Sequence, residues 1–159
     1  MNSTNGIDGS DGPTTTRGQD DMVRYDPLTP AERSERMSRI RNADTKPEMI
    51  VRRLVHGMGY RYRLHARNIP GNPDLAFRPR NKVIFVHGCF WHQHGCRQYR
   101  QPRTKHSFWE PKLARNKARD AEVRRELRGR GWGVLVVWEC QVGKEAALRR
   151  RIKRFMERK

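Results

Sequence analysis

An α/β fold, with a mixed β-sheet flanked by helices, is what this sequence of 159 residues predicts. Three observations carry that expectation. Apolar residues recur at helical spacing after Thr45 and again near the C-terminus. Two Val-rich runs, Lys82–His87 and Trp132–Trp138, read as buried strands. A long charged helix lies between those runs, so they pair through a crossover, whereas the short turns before Lys82 give a meander.

Taken in order, residues 1–24 are polar and net acidic, with Asp8, Asp11, Asp20 and Asp21 against Arg17. Such a stretch cannot bury enough apolar surface to offset its ordering entropy, and it is predicted to be a disordered tail before a single domain at 25–159. Thr29-Pro30-Ala31-Glu32 carries a helix start in which Thr29 caps, Pro30 takes the first helical position and Glu32 completes a capping box; the helix should reach Asn42. Thr45-Lys46-Pro47-Glu48 repeats the signal, Ile50, Val51, Leu54 and Val55 follow on one face, and Gly57 and Gly59 end the helix. Tyr60, Tyr62 and Leu64 alternate with arginines as in a strand with one wet face. A turn at residues 69–73 precedes a short strand from Asp74 to Phe77, and Arg78-Pro79-Arg80-Asn81 turns the chain into Lys82–His87. An irregular stretch from Gly88 to His106 leads to a helix over Leu113–Arg128, a strand over Trp132–Trp138, and a last helix with Leu148, Ile152, Phe155 and Met156 on one side.

The net charge of +18 sits wholly on the part after the tail and points to a polyanion, most simply nucleic acid. No run of apolar residues is long enough for a membrane span, and the start lacks the layout of a secretory signal, so neither a membrane protein nor a secreted disulfide scaffold is expected. Three cysteines fit a reducing, cytoplasmic setting.

Those cysteines, Cys89, Cys96 and Cys140, together with His94 offer the soft tetrahedral set that structural Zn²⁺ takes; on spacing alone His92 could stand in for His94, or Cys140 could be a plain buried thiol. Asp74, at the head of a strand, supplies the hard oxygen that a Mg²⁺-dependent phosphodiesterase needs, although a Pro-Asp pair also shapes turns. His87 and His92 lie close by in sequence, and histidine is a suitable base near neutral pH. Glu48 already has a capping task, and spacing gives it no catalytic one. Phe90-Trp91 could wedge between bases or pack over the metal site. Arg61, Arg63, Arg67, Arg97, Arg100, Arg103 and Lys105 suit phosphate contacts, and Arg149 to Arg154 read as a solvated helix face.

His87-Gly88-Cys89-Phe90-Trp91-His92 with His94 and Cys96, Pro70-Gly71-Asn72-Pro73-Asp74 before it, and Val137-Trp138-Glu139-Cys140 after it resemble the very short patch repair (Vsr) DNA mismatch endonucleases. Met37-Ser38-Arg39-Ile40 and the stretch from Phe108-Trp109 through Lys112, Asn116, Arg119 and Asp120 do so too, so the resemblance spans about Ser34 to the C-terminus. It implies a restriction-endonuclease-like fold and a strand-specific nick 5′ of the thymine in T:G mismatches left by deaminated 5-methylcytosine. By position, Asp74 and the Val86 backbone carbonyl would hold catalytic Mg²⁺, two ions in all; His92 would be the general base, His87 would assist at the scissile phosphate, and Glu48 would join the histidine or water network. Cys89, His94, Cys96 and Cys140 would hold structural Zn²⁺. Phe90 and Trp91 would enter the stack from one groove and Met37 from the other, with Asn116 at the DNA. Val86 stands where the family pattern has threonine, Gln93 and Gly95 thin its histidine run, and the lysine of the related restriction-nuclease motif is absent. The resemblance further implies double-stranded DNA as partner, a monomer associated with the nucleoid, and cooperation with the MutL mismatch-repair protein and a cytosine-5 methyltransferase. A restriction-type nuclease on matched duplex and a zinc-stabilised DNA-binding module without chemistry are the competing readings.

Overall fold

The computed structural model describes Thr29, Ala31, Glu32, Glu35 and residues 43–97, 99–100 and 106–158. The acidic tail, Met37 with most of the helix expected up to Asn42, Arg103 and Lys105 lie outside the described residues. The chain divides into two units, Met1–Ile40 and Arg41–Lys159. In the first, the capping box forms: the Glu32 N–H donates to Thr29 Oγ1 at 3.2 Å, and the Thr29 N–H donates to Glu32 Oε2 at 2.8 Å.

The second unit runs α1 (Lys46–Gly57), β1 (Leu75–Phe77), β2 (Lys82–His87), α2 (His106–Gly129), β3 (Gly133–Trp138) and α3 (Glu145–Glu157), with single 3₁₀ turns at Arg78–Arg80 and Glu139–Gln141. The sheet has the order β1-β2-β3, with β1 antiparallel and β3 parallel to β2. The mixed sheet is therefore as the sequence predicts, and α2 is the crossover that the parallel pair requires.

Alternation along the strands divides the core into two layers. Leu75, Phe77, Ile84, Leu135 and Val137 point toward α1 and α3, where Val51, Val55, Leu148, Ile152 and Met156 cover them. Ala76, Val83 and Phe85 point the other way, toward Ile69 and the α2 residue Leu127, with Val134 and Val136 alongside. The sheet is thus covered on both faces, which explains why β2 and β3 read as nearly continuous apolar runs.

Two elements differ from the sequence expectation. The strand expected over Tyr60–Leu64 is reduced to a single antiparallel bridge between Arg63 and Ala76, because its neighbour β1 is only three residues long. Helix α2 begins at His106, well before Leu113, and carries Pro111 inside it. Aromatic packing of Phe108 and Trp109, described below, stabilises that early turn against the lost backbone donor. No helix among the described residues is long and apolar enough to cross a membrane.

Candidate active site

The site assembles where β1 begins, β2 ends and the middle of α2 passes over both. Gly71, at φ +76°, lets the turn before β1 lie against α2: a Cβ there would come within 2.4 Å of Val123 Cγ1. That approach closes one side of a cleft of about 810 Å³, lined among others by Asn72, Asp74, His87, His92, Arg119 and Asp120.

Asp74 immediately precedes β1, and its Oδ2 accepts the Val86 N–H from β2 at 2.7 Å. Burial drives its carboxyl up to about 6, Glu48 adds to the rise, and the Val86 bond and Arg52 oppose it. A carboxylate so placed is short of a counter-cation, and its hard oxygens beside the β2 backbone suit Mg²⁺. The residues present therefore fit the metal that the resemblance implies.

His87 closes β2 and is buried. Its ring lies flat on that of His92, 3.8 Å between centroids and 9° between planes. His92 Nδ1 hydrogen-bonds Asp120 Oδ2, and His87 Nδ1 lies 3.8 Å from the same oxygen. Burial, reinforced by the field of His92, depresses His87 to about 4, so it is neutral at neutral pH. Burial alone would raise Asp120, but the His92 hydrogen bond and the fields of both histidines outweigh it and hold the carboxyl below its ordinary value. Held by a carboxylate at Nδ1, His92 carries its proton there and keeps Nε2 as the acceptor. That is a base with its orienting group in place.

Sequence reasoning placed Asp120 in the stretch that carries the resemblance but gave it no role. It lies on the inward stripe Leu113, Asn116, Asp120, Val123, Leu127 of α2, where a carboxylate interrupts otherwise apolar and amide positions. That misfit was the available signal. Arg119, named only within that stretch, and Arg124, not named at all, both line the cleft, whereas none of the described arginines expected at phosphates (Arg61, Arg63, Arg67, Arg97, Arg100) does. Arg61 and Arg100 instead reach the backbone carbonyls of His56 and Arg97. It is α2 that brings cationic groups to the cleft.

Glu48 is buried at the start of α1, and its oxygens accept from the Asp44 N–H at 2.9 Å, the Thr45 hydroxyl at 2.8 Å and Arg52 Nη2 at 3.1 Å. The expected capping box does not form: Thr45 makes no side-chain cap, and the backbone N–H that Glu48 accepts is that of Asp44 rather than of Thr45. Among the described residues Glu48 makes no hydrogen bond to His87 or His92; it reaches the site through its field on Asp74.

On the far side of the same loop, Cys89 Sγ, His94 Nδ1, Cys96 Sγ and Cys140 Sγ all lie within 4.8 Å of one another. His94 Nδ1 is 3.7 Å from Cys89 Sγ and 3.5 Å from Cys140 Sγ. Here His94 joins the cysteines and His92 joins Asp120. None of the cysteines is in a disulfide. Burial raises the Cys89 thiol to about 12, and only a bound cation would offset the burial of sulfur charge there. Three sulfurs and one imidazole nitrogen at this spacing can hold a metal ion.

Phe90 and Trp91 follow Cys89 and pack on α2. Trp109 meets Phe90 at 5.3 Å and Trp91 at 5.8 Å between centroids, and Lys112 Nζ lies 5.4 Å from the Trp91 ring. Phe108 joins the edge of this cluster and is 58% exposed. Asn116, expected at DNA, donates to the Trp91 carbonyl at 3.1 Å and so fixes the loop that carries the aromatics.

Comparison with known proteins now adds to the geometry. Residues 25–98 match the family model described as DNA mismatch endonuclease Vsr. The DNA mismatch endonuclease Vsr of Escherichia coli K12 is 40% identical over 110 residues, 69% of this chain and 70% of that protein. This chain belongs to the Vsr family. The type II nicking enzyme V.XorIIP of Xanthomonas oryzae pv. oryzae is 43% identical over 132 residues, 83% of this chain and 97% of its own length. V.NmeAIP of Neisseria meningitidis, also a type II nicking enzyme, is 37% identical over 131 residues, covering 82% and 94%. As a Vsr-family protein the chain is a DNA endonuclease.

Proposed function

We propose that this Vsr-family endonuclease nicks one strand of duplex DNA on the 5′ side of the thymine in a T:G mismatch, with Mg²⁺ as cofactor, and so opens repair of deaminated 5-methylcytosine. The observation that carries the reading is the His92–Asp120 pair facing Asp74 across one cleft. Mg²⁺ held by Asp74 and the Val86 carbonyl would polarise the phosphoryl oxygens and lower the pKa of the attacking water.

The chain's own residues do the rest. His92 Nε2 takes the proton of the attacking water while Asp120 keeps the tautomer and stabilises the imidazolium formed. His87, neutral, contributes a hydrogen bond at the phosphate rather than a charge. Arg119 and Arg124 line the cleft and neutralise phosphate. Phe90, Trp91 and Trp109 form a rigid aromatic edge that would enter the stack beside the mismatch, a wobble pair being cheaper to unstack than a matched one. Met37 would wedge from the other groove. The Cys89–His94–Cys96–Cys140 site holds Zn²⁺ as a structural brace, and the sheet with its crossover supports a restriction-endonuclease-like core. The enzyme acts as a monomer on nucleoid DNA and cooperates with MutL and a cytosine-5 methyltransferase.

The test is a panel of duplexes of one sequence with T:G, T:A and C:G at the central position, assayed with and without Mg²⁺. Nicking confined to the T:G duplex, on the thymine strand and only with Mg²⁺, is expected. Equal cutting of matched duplexes would establish the restriction-type reading instead, and no cutting of any duplex the binding-module one.

A further inference from the structure

Beyond the cleft, a second cavity of about 180 Å³ lies farther along α2, walled by Asn68, Arg78, Asn81, Arg130 and Trp132. The two cavities share one loop, since residues 68–70 line the second and Gly71 and Asn72 line the first. Among the described residues, no acidic one lines the second cavity. Arg78 Nη2 donates to the neutral Asn68 Oδ1 at 2.5 Å, so that contact fixes the guanidinium without cancelling its charge. Arg130, just past the end of α2, pairs with Glu126 on that helix, an exposed i,i+4 pair that yields readily to a stronger acceptor.

The remaining walls are rigid. The Trp132 N–H donates to the Leu127 carbonyl at 2.9 Å, and its ring packs against the second core layer. Asn81 sits in the left-handed region at φ 48°, and its carbonyl accepts the Gly133 N–H at 2.7 Å. A small, preformed pocket with two guanidiniums and side-chain amides suits a single phosphodiester, which guanidinium forks recognise in two-pronged fashion.

Its place follows from the helix. Asp120 and Arg124 line the cleft from α2, Arg130 directly follows the end of that helix and lines the second cavity, and the ten residues from Asp120 to Arg130 rise about 15 Å at 1.5 Å per residue. One strand of duplex DNA advances about 3.4 Å per phosphate along its axis, so the two sites are more than one phosphate apart. We propose that the Arg78–Arg130 cavity is a second phosphate subsite, which grips the backbone of the substrate duplex to one side of the nick. The subsite deepens the nicking reading and rests on it for its place on the substrate.

The test uses the full chain and T:G duplexes in which one phosphodiester at a time is replaced by a neutral methylphosphonate, walked outward from the nick on both sides. Kd is measured by anisotropy without Mg²⁺, and nicking is measured in parallel with it. For the wild type, neutralising one linkage outside the cleft, on one side of the nick only, weakens binding about tenfold. The Arg78→Ala/Arg130→Ala protein binds unmodified duplex about tenfold more weakly, is indifferent to that substitution, and has a salt dependence shallower by about one in log–log slope. Wild-type binding that responds to no linkage outside the cleft would overturn the subsite even if nicking is normal, and so would a double variant that still responds to the same linkage. Wild-type protein that shows the one-sided effect in binding but nicks nothing would leave the subsite standing and overturn the nicking reading. Because the methylphosphonate walk is read on wild type, the subsite is tested whether or not the variant folds.

Discussion

Two clusters built on one loop have opposite chemistry. His87 and His92 turn to one side and meet Asp120, with every ligand atom within 4.8 Å; Cys89, His94 and Cys96 turn to the other and meet Cys140 at the same closeness. The first is nitrogen and carboxylate oxygen in a cleft open to a large ligand; the second is mostly sulfur. Trp138 stands between them: His94 stacks on its face at 4.1 Å, while His87 and His92 approach edge-on at 5.4 and 6.3 Å. The comparison teaches that a soft site can fix the loop while a hard site works on it. The tryptophan separates the thiol cluster from His87 and His92.

The largest effect should come from removing the brace. Cys140→Ala is expected to lose its bound metal, to lower the Tm by about 10 °C or more, and to lose nicking by at least about 1,000-fold, because structural metal binding is folding free energy. Metal analysis, thermal melting and a nicking assay on one preparation check this; full nicking by metal-free protein would break the comparison. Next is Asp120→Asn, whose amide can donate to His92 Nδ1 and reverse its tautomer. A drop of about 100-fold or more in nicking rate, with metal content and melting unchanged, is expected. A drop below about threefold would remove Asp120 from the mechanism. Smaller still is Trp138→Leu, which opens the wall but leaves every ligand: about a tenfold loss of nicking with metal retained is expected, and metal loss would place the tryptophan with the brace instead.

The sequence made the cysteine–histidine cluster legible because cysteine is scarce in this chain and all three copies lie in it. Strand β2 was legible to the residue, since Asn81 at positive φ and Gly88 bound a continuous apolar run. Asp120 was not, because the charge pattern of α2 is basic nearly all round and hides which residues face inward. The strand at Tyr60–Leu64 misled for a different reason: its alternation is real, with Tyr60 and Tyr62 packing on the first core layer, but too short a partner strand lies beside it. The role of Glu48 was left open by spacing, and the structure gives the cause, namely that its capping and its field on Asp74 come from one position.

Stability offers a quieter test of the hard site. Asp74 titrates near 6 when folded against an ordinary 3.8, so the folded state holds more protons between those values and its stability falls as pH rises through them. His87 titrates near 4 when folded against 6.5, which makes stability rise with pH over nearly the same window. The two slopes oppose. Asp74→Asn should therefore be more stable than wild type by about 2–3 kcal/mol above pH 6 in Mg²⁺-free buffer. Its stability should also climb from pH 4 to 6.5, where that of wild type stays nearly flat. Denaturant melts across that range check both.

The division of labour between the clusters is tested most directly by bound-metal content and T:G nicking measured together on Asp74→Asn protein. Retention of the soft-metal ion at wild-type stoichiometry, with nicking reduced at least about 1,000-fold in saturating Mg²⁺, is the expected result. Nicking at a wild-type rate, or loss of the soft-metal ion along with activity, would contradict it.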